Sequence, residues 1–248
     1  LTSSNSSPGD TITCNAIATD ADGGKANDSD SVTVDNTGPT ITSVEVKPST
    51  GVTTSDRLTC VASATDPDGG TPTLSYAWTN ESASTTFTST SDTLTLRPST
   101  VSPTDIVRCT VTATDADGGS ASDSDQISVE NTAPTVTAAI SPSTGVTTSS
   151  RLTCSGTASD ADGETPTISY EWFIGGKSVG MSDTLTLTSS MASPGDTVRC
   201  KTTATDGYSG TGSAEATVTV ENTNPTITSI EVTPDTGVTT RTLLTCTV

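Results

Sequence analysis

Short runs in which every second residue is apolar recur along this chain. Ser31-Val-Thr-Val34, Ile41-Thr-Ser-Val-Glu-Val46, Thr93-Leu-Thr-Leu96, Ile106-Val-Arg-Cys-Thr-Val111 and Ala216-Thr-Val-Thr-Val220 all carry this pattern. A period of two sends alternate side chains to opposite faces of a strand, one buried and one wet. Thr and Val suit such a pleated, half-buried surface. No stretch carries the 3.6-residue period of an amphipathic helix. Pro-Gly-Asp, Asp-Gly-Gly and Pro-Ser-Thr-Gly segments separate the runs and read as turns. The pattern predicts an all-β fold.

The runs also repeat on a longer scale. Thr50-Gly-Val-Thr-Thr54 returns at 144–148 and at 236–240, and Arg57-Leu-Thr-Cys60 returns as Arg151-Leu-Thr-Cys154 and Leu243-Leu-Thr-Cys246. Val107-Arg-Cys109 returns as Val198-Arg-Cys200. The offsets cluster near 93 residues, which is a whole domain rather than a solenoid repeat. About seven strands are expected per period. Three links share one signature: Asp35-Asn-Thr-Gly-Pro-Thr40, Glu130-Asn-Thr-Ala-Pro-Thr135 and Glu221-Asn-Thr-Asn-Pro-Thr226. Their prolines restrict the preceding residue to extended backbone, so the tandem array is expected to behave as a stiff rod. The expected domains are 38–132 and 133–223, flanked by the last three strands of an earlier domain (1–37) and the first two strands of a later one (224–248). The simplest expectation is a window cut from a longer array. The alternative is a split-domain polymer, in which Cys246 of one chain bridges to Cys14 of the next.

Leu74-Ser-Tyr-Ala-Trp78 and Ile168-Ser-Tyr-Glu-Trp172 each follow one cysteine and precede another, with Pro194-Gly-Asp-Thr-Val-Arg-Cys200 as an example of the latter. Together with Thr114-Asp-Ala-Asp-Gly-Gly119 and the Asn-Thr-x-Pro-Thr links, these motifs resemble tandem bacterial immunoglobulin-like repeats of extracellular fibre and cell-surface proteins. Related repeats of the polycystic-kidney-disease type are similar. The resemblance implies β-sandwiches with a disulfide between the second and sixth strands and a Trp packed against it. It pairs Cys60 with Cys109 and Cys154 with Cys200, leaving Cys14 and Cys246 to pair outside this window or across chains. Such bridges imply an oxidising, extracellular setting. The other possibility for the six cysteines is free buried thiols.

Composition narrows the function. There are 10 Lys+Arg against 29 Asp+Glu, a formal charge of −19, and no His. That leaves no cationic footprint for nucleic acid or an anionic membrane and no imidazole for a Ser-His-Asp triad or a zinc site. No apolar run approaches membrane-spanning length. Leu, Ile, Val and Phe make up less than a fifth of the residues, a composition that alone would read as disordered. The regular cysteines and strand periodicity argue against that. With 7 aromatics, and with the candidate paired acids lying in exposed turns, neither a sugar-stacking platform nor a catalytic carboxylate pair is expected, and the chain is not expected to be an enzyme.

The Asp-x-Asp-Gly turns are the strongest candidate for chemistry. Asp66, Asp68, Asp115 and Asp117 lie on loops expected at one end of the first complete sandwich, beside Asp35 and Asn36 of the preceding link. Calcium takes six to eight oxygen ligands, so this junction is a candidate Ca2+ site, similar to the interdomain calcium of cadherin-like arrays. The next junction offers Glu130, Asn131, Asp160 and Asp162. Its second loop is altered to Asp206-Gly-Tyr-Ser-Gly210, so that site is expected to be the weaker. The same residues also serve as plain turn formers. Asn5, Asn27 and Asn80 begin glycosylation sequons, and the Ser/Thr-rich loop 82–91 suits O-glycans. The function expected is that of a structural spacer in an extracellular filament or cell-surface fibre, partnered by its own copies or by continuation of the same chain. The alternatives are an adhesin stalk presenting a distal binding domain and an accessory module of a secreted hydrolase.

Overall fold

The computed structural model describes residues 1–2 and 4–248. Its strands are β1 (Thr11–Thr19), β2 (Lys25–Thr33), β3 (Thr40–Lys47), β4 (Arg57–Thr65), β5 (Thr73–Asn80), β6 (Thr85–Thr86), β7 (Thr93–Thr95), β8 (Ile106–Thr114) and β9 (Ser120–Ser128). They continue as β10 (Thr135–Val136), β11 (Ala139–Ser141), β12 (Arg151–Ser155), β13 (Ala158–Ser159), β14 (Thr167–Ile174), β15 (Lys177–Gly180) and β16 (Thr184–Thr186). The last four are β17 (Thr197–Thr205), β18 (Thr211–Thr219), β19 (Glu231–Thr233) and β20 (Thr245–Thr247). The described residues form no helix. Two compact units result. One holds Leu1–Pro134 with the loop segments Ser159–Pro166 and Thr205–Thr211; the other holds Thr135–Ala158, Thr167–Ala204 and Gly212–Val248.

In the first unit, a three-stranded sheet ordered β3-β4-β7 faces a four-stranded sheet ordered β6-β5-β8-β9. The alternation seen in the sequence is what closes them. Along β8, Val107, Cys109, Val111 and Ala113 are buried while Arg108, Thr110 and Thr112 point outward. Val107, Cys109 and Val111 meet Leu58 and Cys60 from β4 and Trp78 from β5 in one core. Cys60 and Cys109 are bonded across the sheets with Cα atoms 6.3 Å apart. Trp78, fully buried, sits opposite Cys109 in the ladder, and its indole N–H donates to the Ser91 carbonyl at 3.0 Å. The donor is therefore satisfied and the ring costs nothing in lost hydrogen bonding. A bridge closing a loop of this size contributes about 4 kcal/mol in the chain-entropy treatment, a large share for a core with few apolar residues.

The second unit repeats the plan, with sheets ordered β11-β12-β16 and β15-β14-β17-β18. Cys154 bonds Cys200, and the buried Trp172 donates to the Ser182 carbonyl at 2.8 Å. Among the core positions that differ, one on β17 is polar. Thr202 stands where β8 has Val111, and it is fully buried. Its hydroxyl lies 3.0 Å from the Thr137 carbonyl and 3.2 Å from the Ala214 carbonyl, which satisfies the buried polar group. Where β3 pairs β4 as single strands, this sandwich breaks the same pairing into the β10–β13 and β11–β12 segments. The strand pair β1–β2 and the pair β19–β20 lie outside both sandwiches, and every residue in these four strands is exposed. The described residues of segment 1–37 hold two strands, where the sequence pattern places three.

Candidate functional site

The Asp-rich turns are built by their first aspartate. Asp115 Oδ1 accepts the amides of Asp117 and Gly119, and Asp206 Oδ1 accepts those of Tyr208 and Gly210. A side chain that caps its own turn explains why Asp opens each of these loops. The closing glycine has a separate cause. A Cβ on Gly119 would collide with Asp115 Oδ2 and Gly38, and one on Gly210 would collide with Asp206 Oδ2 and the Asn131 amide.

Each loop pair then receives the preceding Asn-Thr. Asn36 Nδ2 donates to Asp115 Oδ2 at 3.0 Å, and Asn131 Nδ2 donates to Asp206 Oδ2 at 2.9 Å. The Thr37 amide donates to Asp68 Oδ2 at 2.5 Å, and the Thr132 amide to Asp162 Oδ2 at 2.7 Å. The Asn-Thr motif is thus a two-point latch, a role its repetition signalled and the sequence reading left unassigned. Asp162 is 5% exposed, and its other oxygen accepts the Thr54 hydroxyl at 2.6 Å. Each of its oxygens thus accepts one hydrogen bond that ties loop 160–164 to its neighbours.

The two loop pairs differ in what remains. Asp66, Asp68, Asp115 and Asp117 do line one cleft, together with Ser7 and Pro8. Asp117 is exposed there, whereas Asp35, also exposed, is not among the residues lining the cleft. At the second pair, one carboxylate oxygen from each of Asp160, Glu164 and Asp206 lies within 4.8 Å of the others. Among the described residues, the buried side-chain oxygens without a hydrogen-bond partner are Asn131 Oδ1, Asp160 Oδ2 and Glu164 Oε2. All three belong to this cluster or to the asparagine bonded to it. Burial raises the Glu164 pKa, and the negative charges of Asp206, Asp160 and Asp162 raise it further. The Asp206 pKa is lowered, chiefly by the Asn131 hydrogen bond. Asp115 is lowered in the same way by Asn36. The ion pairs found among the described residues, Lys47–Glu45, Arg108–Glu81 and Arg199–Glu215, bring no cation to the cluster.

Several expectations therefore change. The cluster that gathers unpartnered oxygens is the second, not the first. Its decisive member, Glu164, was missed. Aligning Asp66-Pro-Asp-Gly-Gly70 with Asp160-Ala-Asp-Gly-Glu164 would have exposed it, since Glu164 replaces Gly70. Glu130 does not join the cluster: its carboxylate accepts the Gly51 amide at 2.9 Å, as Glu221 does for Gly145. Asn36 meets its loop as a donor rather than an oxygen ligand. Asn80 is 1% exposed and its amide nitrogen donates to Asp105 at 2.7 Å, so that sequon is closed to a glycan in the folded chain. Asn5 and Asn27 are exposed.

The residues present fit a hard cation. Carboxylate and amide oxygens are the donors that calcium and magnesium take, and a buried oxygen without a partner costs free energy that such an ion recovers. Asp160, Glu164, Asp206 and Asn131 would hold it.

No family model and no curated protein matches this chain. Solved structures similar to it are tandem repeat proteins. One is the tetra-tandem repeat in the extending region of a large adhesion protein, at 20% identity and TM-score 0.33, covering 84% of this chain and 56% of that one. The fibronectin(III)-like modules of Clostridium thermocellum CbhA give 15% identity and TM-score 0.29, covering 72% and 94%. A Ca2+-stabilized adhesin that helps an Antarctic bacterium bind ice gives 16% identity and TM-score 0.28, covering 85% and 56%. This chain thus spans little more than half of the first of these.

Proposed function

We propose that this chain is a structural spacer of an extracellular filament or surface stalk, in which a bound hard divalent cation, calcium by its donor set, locks a loop cluster. The observation that carries this reading is the set of unpartnered buried oxygens of Asn131, Asp160 and Glu164 around a three-carboxylate cluster. Two features support the structural role. Each sandwich is closed by an inter-sheet disulfide, which suits an oxidising exterior. The surface is strongly acidic, which keeps crowded extracellular chains from associating.

The mechanism is a tether. Segment 131–132 is already latched to Asp206 and Asp162 by hydrogen bonds. A cation would neutralise the repulsion among Asp160, Glu164 and Asp206 and hold the two loops as one body with that segment. Amide hydrogen exchange tests it directly. Calcium should slow exchange in residues 130–134, 159–166 and 205–211, while chelation restores fast exchange there. Identical exchange in calcium and in chelator would overturn the reading.

A further inference from the structure

The outer faces of the two four-stranded sheets carry the same arginine in different company. Arg108 on β8 and Arg199 on β17 each precede a bridging cysteine by one residue. Around Arg108 every guanidinium nitrogen is occupied. Its Nε donates to Glu81 at 3.1 Å, Nη1 to the Ser124 hydroxyl at 3.0 Å and Nη2 to Gln126 at 2.6 Å. The Thr79 hydroxyl donates to the same Glu81 oxygen at 2.7 Å. This arginine therefore holds a carboxylate of its own chain.

Around Arg199 those partners are gone. Aligning the buried tryptophans and the bridging cysteines puts Gly175 where Glu81 stands, Phe173 in place of Thr79, Glu215 in place of Ser124 and Thr217 in place of Gln126. Nη1 donates to Glu215 at 2.6 Å, and Nε and Nη2 have no partner among the described residues. Phe173 fixes the group instead, with its ring centroid 4.3 Å from the guanidinium carbon. The ring holds the guanidinium in place without using an N–H. Space opens where the side chains are missing. Arg199, Phe173, Gly175 and Thr217 line one groove of about 450 Å³, and a Cβ on Gly175 or Gly176 would meet nothing within 4 Å.

We propose that this groove binds a monocarboxylated sugar, a hexuronic acid or a glycan ending in one, whose carboxylate takes the place at Arg199 that Glu81 takes at Arg108. The Nε–H and Nη2–H donors share one edge of the guanidinium and form a planar fork that matches a carboxylate with two parallel bonds. The other lining groups select the rest of the ligand. Thr197, Thr217 and the Asp196 carboxylate offer partners for sugar hydroxyls. Asp196 and Glu215 oppose a second negative charge on the ligand, which disfavours polyanions. The formal charge of −19 likewise opposes an acidic side chain brought by a second copy. The sugar is held by its carboxylate, not by stacking on an aromatic ring. This inference goes beyond the spacer role and does not depend on the cation.

The test is an amide NMR titration of the full chain, in chelator, with methyl glucuronide and with methyl glucoside, which lacks the carboxylate. Methyl glucuronide should shift the amides of Gly175, Gly176 and Arg199 saturably. Methyl glucoside should bind about tenfold more weakly or worse, the factor that a charged hydrogen-bonded pair supplies. Arg199→Gln should cost about the same factor, and Arg199→Lys should not restore binding, because an ammonium has no fork. Thr217→Gln, at an exposed strand position, puts back the partner that Gln126 provides and should weaken binding by competing for Nη2 while the fold stays intact. No saturable shift, shifts confined to other residues, equal affinity for the glucoside, or binding indifferent to Arg199→Gln and Thr217→Gln would overturn the proposal. Acetate or a short acidic peptide bound as tightly as the glucuronide would overturn it as well, by leaving a carboxylate site with no preference for sugar. Because the titration runs in chelator, either outcome leaves the cation reading untouched.

Discussion

The two loop pairs share a plan and diverge in one carboxylate. At the first, Asp66, Asp68, Asp115 and Asp117 are held by turn and latch hydrogen bonds and line an open cleft. At the second, Glu164 replaces Gly70, Asp206 is 8% exposed, and three buried oxygens lack partners. A count of acids would rank the first site higher. What separates them is burial: an exposed carboxylate is satisfied by water, whereas a buried one facing other carboxylates needs a proton or a cation.

The comparison assumes that the sandwiches beneath the loops are equivalent. Replacing both cysteines of either bridge by Ala should cost each sandwich about 4 kcal/mol in denaturant unfolding. A large inequality would mean that the loops differ because their scaffolds differ. Next in size is Glu164→Gln. It should weaken calcium binding by about tenfold or more in calorimetry, while raising stability in chelator near neutral pH, because one of the repelling charges is gone. No change in either quantity would remove Glu164 from the site.

Gly70→Glu asks whether one residue transplants the cluster. Gly70 has φ of +94°, a conformation that costs an L-residue about 1–2 kcal/mol. The variant should therefore lose about that much stability without gaining calcium binding. Tight binding with no loss of stability would show that sequence alone separates the two loops.

The smallest effect is the pH dependence in chelator. Glu164 has a raised pKa, so the folded chain holds its proton more tightly than the unfolded chain. The stability this supplies is present below the ordinary glutamate value and is lost as pH rises through the raised one. Asp206 and Asp115 are lowered, so their contribution is present above the ordinary aspartate value and is lost as pH falls through the lowered one. Only the first loop pair should lack the loss on the alkaline side, and Glu164→Gln should abolish it at the second.

The fold was legible because strand alternation survives dilution by Thr and Ser: the pattern in Ile106-Val-Arg-Cys-Thr-Val111 is the burial pattern of β8. The Asp-opened loops were legible from their turn chemistry. Glu164 was not, since a single acid after a turn looks like any solvated charge until its neighbours are placed. Asn80 misled for the converse reason, because a sequon records three residues and not the burial of the first. Glu130 misled because nearness in sequence to Asn131 says nothing of the Gly51 amide that captures it.

The most direct measurement is anomalous X-ray scattering from crystals of the chain grown with calcium. A single peak between Asp160, Glu164 and Asp206, with Asn131 turned toward it, is the predicted result. Well-ordered loops with no peak and Glu164 swung out to solvent would contradict the account.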